Sequence, residues 1–288
     1  MTVLDIRPVA GAIGAEIAGL DLSADLDGET VESLRVAFRD HLVLFIRDQD
    51  LSPARHSAFA ALFGEVDREP FVYPLVMPHA EGHPEVLRVV KEAGDGGINF
   101  GGLWHYDVTY RERPHLASVI HAREVPPAGG DTMWANQYLA YETLSEGMKA
   151  LLGRLRAIHS NALTYGGDEA RYAPTSKAKT GERAAPPTER IETAHPVLRS
   201  HPESGRKALF VNQVFTERFE GMTLEESKPL LDFLWDHAVR PEFTCRWHWR
   251  AGDVAGWDNR CTQHFALNDY YGRRREVHRV AIHGERPV

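Results

Sequence analysis

The chain has little cysteine, no long apolar run and no concentration of basic residues, and each shortage removes a class of protein. Two cysteines, Cys245 and Cys261, in 288 residues cannot make a disulfide framework, so a reducing, cytoplasmic setting is expected. No stretch approaches the ~18 apolar residues of a membrane span. Met1 to Ala10 lacks a basic segment followed by an apolar one, so no secretory leader is expected. Lysine and arginine are dispersed and the formal net charge is −8, which argues against a nucleic-acid surface. An anionic ligand must therefore be held by local arginines against an unfavourable overall field. Neither an internal repeat nor a clear linker divides the chain, so residues 1–288 are expected to form a single domain. The 43% hydrophobic and 26% charged residues are ordinary for a globular protein that buries its own core.

Several elements are legible in the residue pattern. Leu4-Asp5-Ile6 and Ala15-Glu16-Ile17 read as short strands among Gly11, Gly14 and Gly19. Val31, Leu34, Ala37 and Phe38 share one face of a helix expected over 28–41. Leu42 to Ile46 reads as a buried strand, and Ser52 with Pro53 opens a second helix. Leu103 to Ala122 is strand-like, 136–155 helical, and 161–190 a long Gly/Pro-containing loop expected to act as a lid. Thr223 and Glu226 have capping-box spacing. Phe243, Cys245, Trp247 and Trp249 alternate with polar residues, as on a half-buried strand. Many short strands with interspersed helices predict a mainly β protein with flanking helices, a double-stranded β-helix or jelly roll.

The chemistry is concentrated in three separated stretches. A histidine followed two residues later by an acid occurs five times, but only His105/Asp107 has aspartate in a strand-like context. The other four pairs, beginning at His79, His83, His201 and His283, lie near Pro or Gly and read as solvated loops. On a strand, His105 and Asp107 point to one face while Tyr106 faces away. His264, after Trp257-Asp258-Asn259-Arg260, is the best third ligand; His248 falls on the polar face of its strand. Two histidines and one carboxylate form a facial triad that leaves three positions open on an octahedral iron. A 2-oxo acid fills two of these and oxygen the third.

The anion clamps follow. Arg275 and Arg279 share a strand face with Val277, at roughly 13 Å between Cα atoms. Two separated guanidinium groups suit two anions. Arg275, helped by the Thr132 hydroxyl, would take the distal carboxylate of the co-substrate, leaving Arg279 for an anionic substrate group.

With these residues assembled, the chain resembles the taurine / 2,4-dichlorophenoxyacetate dioxygenase family of iron(II)- and 2-oxoglutarate-dependent oxygenases. The resemblance runs from Gly14 to Arg279 and is most specific over Trp104 to Thr109, Gly129 to Trp134 and Trp257 to Arg279. It implies iron bound by His105, Asp107 and His264, and 2-oxoglutarate bound by Thr132 and Arg275. Arg279 would receive the acidic group of the substrate. The implied chemistry is oxygen-dependent decarboxylation to succinate coupled to hydroxylation of a small organic anion. Where the hydroxylated carbon bears a sulfonate, sulfate or aryloxy group, that group is expelled. Met77 and Gly101 stand where the taurine enzyme has polar substrate contacts, Tyr and Asn, and Pro74 replaces its His. The stretch from His201 to Cys245 looks closer to aryloxyalkanoate dioxygenases, which implies a bulkier and more apolar substrate. A homo-oligomer without nucleic-acid or membrane partners is expected. The alternatives are a metal-dependent hydrolase or lyase on the same barrel, and a jelly-roll binding protein without turnover.

Overall fold

Strong local signals start most of the helices in the computed structural model, which describes residues 4–68, 79–95, 100–165 and 189–288. Met77 and most of the expected lid, residues 166–188, lie outside the described residues. The first elements are β1 (Asp5–Pro8), β2 (Ala15–Ala18), α1 (Gly28–His41), β3 (Val43–Ile46), α2 (Pro53–Ala60), β4 (His79–Ala80), β5 (His83–Lys91) and β6 (Ala117–Glu124). Next come β7 (Thr132–Asn136), α3 (Gln137–Glu142), α4 (Glu146–Leu152), β8 (Arg156–Ser160), α5 (Ala162–Tyr165), β9 (Glu192–Pro196), β10 (Leu198–Ser200), β11 (Lys207–Leu209) and β12 (Thr216–Phe219). The chain closes with α6 (Leu224–Ala238), β13 (Thr244–Trp247), β14 (Val254–Asp258), β15 (Thr262–Ala266) and β16 (Arg275–Ile282). No helix among the described residues is long and apolar enough to cross a membrane.

The caps are those expected. Ser52 accepts from the Arg55 amide at the head of α2, with Pro53 as its first helical residue. Thr223 and Glu226 form a reciprocal capping box at α6. In α1 the buried face is Thr30, Leu34, Ala37 and Phe38.

The strands assemble into an eight-stranded sheet in the order β1-β2-β3-β14-β6-β16-β5-β4, and a three-stranded sheet β13-β7-β15. All pairings are antiparallel except β2 with β3. One apolar core lies between the large sheet and α1 and α2, with Leu34, Phe38, Leu44, Phe59 and Val119. A second lies between the large sheet and the small one, built from Phe45, Trp134, Cys245, Trp247, Trp257 and Val277. The alternating residues 243–250 behave as the pattern dictates: Phe243, Cys245, Trp247 and Trp249 are buried, while Arg246, His248 and Arg250 are exposed. A third cluster packs α3, α4 and α6 on β8 and β10–β12. The architecture is mainly β with flanking helices.

Several buried histidines are part of this packing. His56 on α2 and His121 on β6 lie with ring centroids 5.9 Å apart. His56 donates to the Val119 carbonyl and His121 to the Gln49 carbonyl, both at 3.1 Å. His195 donates to the Arg111 carbonyl at 3.0 Å. Burial pushes His56 down to about 3 and His121 and His195 to about 4. Above pH 6.5 both the folded and unfolded forms are neutral, so the shift has no effect there. Below it the unfolded chain takes up protons that the fold refuses. Stability should therefore fall by up to about 4 kcal/mol per pH unit between pH 6 and pH 4.5, from three sites at about 1.4 kcal/mol each. Urea denaturation at pH 7 and pH 5 checks this; a midpoint that stays level would overturn it.

Candidate metal centre

The segment that carries His105 and Asp107 is not the strand its pattern predicts. His105 makes a single antiparallel bridge to His264 on β15, with amide-to-carbonyl distances of 3.1 and 2.9 Å in the two directions. Residues 107–110 then form a turn in which Val108 adopts a left-handed φ of 48°, rare for a β-branched residue. This turn, rather than strand alternation, swings the Asp107 carboxylate back beside the histidines. Tyr106 faces away as expected, and donates its hydroxyl hydrogen to the Leu209 carbonyl at 2.7 Å.

The three side chains converge. His105, Asp107 and His264 are 6%, 3% and 7% exposed, and one ligand atom from each lies within 4.8 Å of the others. The Nε2 atoms of His105 and His264 stand 3.9 and 3.7 Å from Asp107 Oδ1. Both distances are too long for a hydrogen bond. His105 Nδ1 donates to the Leu103 carbonyl at 2.7 Å, which fixes the tautomer and turns the Nε2 lone pair inward. Burial lowers both histidines, so each imidazole is neutral. Burial alone would raise the Asp107 carboxyl, but Arg279 and then His264 hold it below the usual carboxylate range. Two neutral imidazoles and one carboxylate, with lone pairs aimed at a common point, are a donor set that fits a divalent cation.

Three side chains support Asp107; the sequence pattern gives Ser118 and Asn259 no role, and Arg279 a different one. Ser118, the lone hydroxyl in the apolar run of β6, donates to Oδ2 at 2.9 Å. Arg279 on β16 pairs with the same oxygen at 2.8 Å, and also reaches the Ser118 hydroxyl at 3.0 Å. Asn259 accepts from the Asp107 amide at 2.9 Å, and donates to the carbonyls of Asp107 and His115 at 3.3 and 3.0 Å. Trp257 packs on the His264 ring at 4.7 Å between centroids.

Four residues before Arg279, at the head of β16, stands a second buried arginine. Arg275 is 7% exposed and donates to the Gly130 carbonyl at 3.2 Å. Gly129-Gly130-Asp131-Thr132 is pinned from outside. Asp269 accepts from the Gly130 amide at 2.7 Å, and Asp131 binds Arg246 at 2.6 Å and His248 at 2.9 Å. Gly130 adopts φ 71°, and a Cβ there would stand 3.3 Å from Arg275 Cδ, so glycine suits both the turn and the close approach of the arginine. Thr132, two residues on, opens β7 and shares a ladder with His264 through the pairs Thr132↔Ala266 and Trp134↔His264. Its hydroxyl accepts from the Trp249 indole at 2.9 Å and keeps its own hydrogen to donate.

The turn after Asp107 carries Val108 and Tyr110 into an apolar cluster with Leu87, Val214 and Phe215, flanked by Val89, Phe100 and Leu103. Gly101 adopts φ 73°, and a Cβ there would stand 3.3 Å from His105 Cε1 and 3.8 Å from Nε2. His105, Asp107, His264, Arg279 and Gly101 thus lie in contact with one another, while Arg275 lies against Gly130 and Thr132 sits on the strand paired with that of His264.

The expectation for His201 is corrected. It is 2% exposed rather than solvated, and its Nε2 donates to Asp258 Oδ2 at 3.0 Å. Asp258 is a buried acid that needs cationic partners, and the pattern around His201-Pro202-Glu203 carries no trace of a residue 57 positions away.

Asn259→Ala would leave one buried amide and two carbonyls without partners. We expect a stability loss of about 2–4 kcal/mol, read from denaturant midpoints; a loss below about 0.5 kcal/mol would show that the clamp is dispensable.

Comparison with known proteins agrees with this geometry. The family model described as "Taurine catabolism dioxygenase TauD, TfdA family" matches residues 5–281. An alpha-ketoglutarate-dependent sulfate ester dioxygenase of Pseudomonas putida is 41% identical over 286 residues, 99% of this chain and 91% of that protein. An alkylsulfatase of Acinetobacter baylyi is 38% identical over 283 residues, 98% of this chain and 86% of its own. Among solved structures, a taurine dioxygenase from Burkholderia xenovorans superposes with a TM-score of 0.80 at 36% identity, covering 99% of this chain and 91% of that one. AAD-2 in complex with Mn(II) and N-oxalylglycine has a TM-score of 0.77 at 26% identity, covering 99% of both chains. A triad built across the bridge between His105 and His264, in a chain matched along nearly its whole length, has one reading: the protein belongs to the taurine catabolism dioxygenase TauD, TfdA family.

Proposed function

We propose that the protein is an Fe(II)- and 2-oxoglutarate-dependent dioxygenase that hydroxylates a small organic anion of the sulfate-ester type and thereby cleaves its C–O bond. The observation that carries this reading is the placement of Arg279. Its guanidinium lies against the Asp107 carboxylate, on a face that continues into the apolar wall around Leu87 and Phe215. A cation beside an apolar chamber suits one anionic head on a hydrocarbon body. The names of the two curated relatives point to the same substrate class, and at 41% and 38% identity they exceed the 30% of a 2,4-dichlorophenoxyacetate dioxygenase.

In this reading the chain is one domain, a jelly roll whose large and small sheets face each other across the tryptophan-rich core. His105, Asp107 and His264 hold the metal. When bound, iron(II) supplies the oxygen activation that is coupled to decarboxylation of the co-substrate. Arg275 takes the distal carboxylate of 2-oxoglutarate by a charge-assisted bidentate pair, with the Thr132 hydroxyl donating beside it. Arg279 keeps Asp107 ionised and supplies the positive charge toward which the sulfate head is oriented. The apolar wall packs the chain of the substrate, excludes water and directs the ester-bearing carbon toward the triad. Hydroxylation of that carbon gives a hemiacetal-like ester, which collapses to an aldehyde and free sulfate. A hydrolase using only three metal ligands has no use for the buried Arg275 and Thr132.

Purified protein supplied with Fe(II), 2-oxoglutarate, oxygen and a medium-chain alkyl sulfate should release succinate, sulfate and aldehyde in equal amounts. Sulfate without succinate would mean hydrolysis and sink the proposal. Asp107→Ala should leave the turnover rate below about 1% of wild type, since even outer-shell changes at such centres cost about 10- to 100-fold.

Gly101 sets the space above His105. Asparagine tolerates its left-handed backbone, so Gly101→Asn should fold and intrude on the chamber. We expect kcat/KM to fall about 10-fold or more for long or branched alkyl sulfates, with much less effect on the shortest. An equal effect across chain lengths would remove Gly101 from substrate selection.

A further inference from the structure

The co-substrate pocket contains a second buried cation that the proposed function has not used. Lys91 ends β5 as the direct ladder partner of Arg275 on β16. Strand alternation puts Leu87, Val89 and Lys91 on the same face as Arg275, Val277 and Arg279. Directly opposed residues of an antiparallel pair have Cβ atoms about 5 Å apart. Lys91 is 8% exposed; its ammonium donates to the Asn268 side-chain oxygen and stands 4.6 Å from the centre of the Tyr270 ring. Tyr270 and Arg275 both border the space that a side chain on Gly130 would fill, with closest atoms 3.2 and 3.3 Å from the missing Cβ. Lysine, tyrosine, glycine and arginine therefore form one continuous patch.

The charges of this patch do not balance within the protein. Other buried arginines have carboxylates: Arg279 has Asp107, Arg260 has Asp258 and Arg199 has Glu285. Among the described residues, no carboxylate comes within ion-pair distance of either Lys91 or Arg275. Asp95 and Asp131 act on them only from farther off, and Asp131 is already held by Arg246 and His248. Like charges opposed across a ladder destabilise it, and an uncompensated buried charge is costly. Both penalties disappear when an anion lies between the two groups.

We propose that Lys91 is a co-substrate-binding residue, which with Arg275 clamps the distal carboxylate of the 2-oxo dicarboxylic acid. This rests on the co-substrate reading of Arg275 given above. Asn268 and the Tyr270 ring hold the ammonium in place by one hydrogen bond and one face contact, leaving further N–H donors for the ligand. Two cations on one carboxylate would make the pocket select strongly for a dicarboxylate over a monocarboxylate of the same head.

The test is calorimetric binding to Mn(II)-loaded protein of N-oxalylglycine and of oxamate, which has the same chelating head and no distal carboxylate. Wild type, Lys91→Met and Arg275→Met are compared, and thermal melting of the ligand-free proteins is recorded alongside. Lys91→Met should weaken N-oxalylglycine by about 10- to 100-fold, the worth of a hydrogen bond to a charged group, and leave oxamate unchanged. The ligand-free variant should melt at or above the wild-type temperature, because a repulsion has been removed. If Arg275→Met loses N-oxalylglycine while Lys91→Met binds it like wild type, the inference about Lys91 fails and the co-substrate reading stands. If neither variant is weakened, the co-substrate reading fails with it. Equal weakening of both ligands by Lys91→Met would assign Lys91 to pocket structure and overturn the proposal. Lys91→Gln serves the same comparison if the methionine variant does not fold.

Discussion

A carboxylate with almost no solvent contact has to find compensating charge or lose its own, and at the candidate metal centre that carboxylate is Asp107. The ion pair with Arg279 meets the requirement, and much of the architecture follows from it. Arg279 can reach Asp107 only if β16 runs beside β6, which places Ser118 under the same oxygen. β14 pairs with β6 on its other edge, and the turn after β14 presents Asn259 to the backbone of Asp107. One buried negative charge thus ties together the three central strands of the large sheet. His264, delivered by β15 from the small sheet, closes the group from the opposite side.

Around this centre the chemistry is graded. Toward Gly130 the lining is cationic and polar, with Arg275, Lys91 and Thr132; toward Phe215 it is apolar. In the proposed function this grading sorts the anionic and hydrocarbon parts of the two reactants. The same placement would let a chain of net charge −8 hold anions in the proposed function: the field that matters there is that of the buried cations at short range, where screening is weak.

A second buried group, His201, Asp258 and Cys261, has metal-like composition but a different role. Arg260 donates to both Asp258 oxygens, at 2.9 and 2.7 Å, and His201 donates to Oδ2 as well. Burial pushes the Cys261 thiol far up, so it stays protonated. The carboxylate is already fully engaged. These contacts fasten the loop after β10 to the end of β14, one residue from Asn259, and so stiffen the support of Asp107 from behind.

The amino-acid sequence by itself determined the elements whose signals lie in consecutive residues: the caps at Ser52 and Thr223, the apolar face of α1, and the alternation from Phe243 to Arg250. It also carried the identities of the metal-binding candidates His105, Asp107 and His264 and of the anion-binding candidates Arg275 and Arg279, because these residues keep a recognisable spacing. Only the tertiary structure decided how they meet. The pattern around residue 105 reads as a strand, yet Asp107 reaches its position through a turn with a left-handed valine. That conformation is unfavourable locally and is held in place by Asn259 and by the bridge to His264. His201 reads as a loop residue, yet it is buried against Asp258. Capping and periodicity act over a few residues and are written there, whereas the pairing of buried charges depends on which groups meet across 57 residues for His201 and Asp258 and more than a hundred for Asp107 and Arg279.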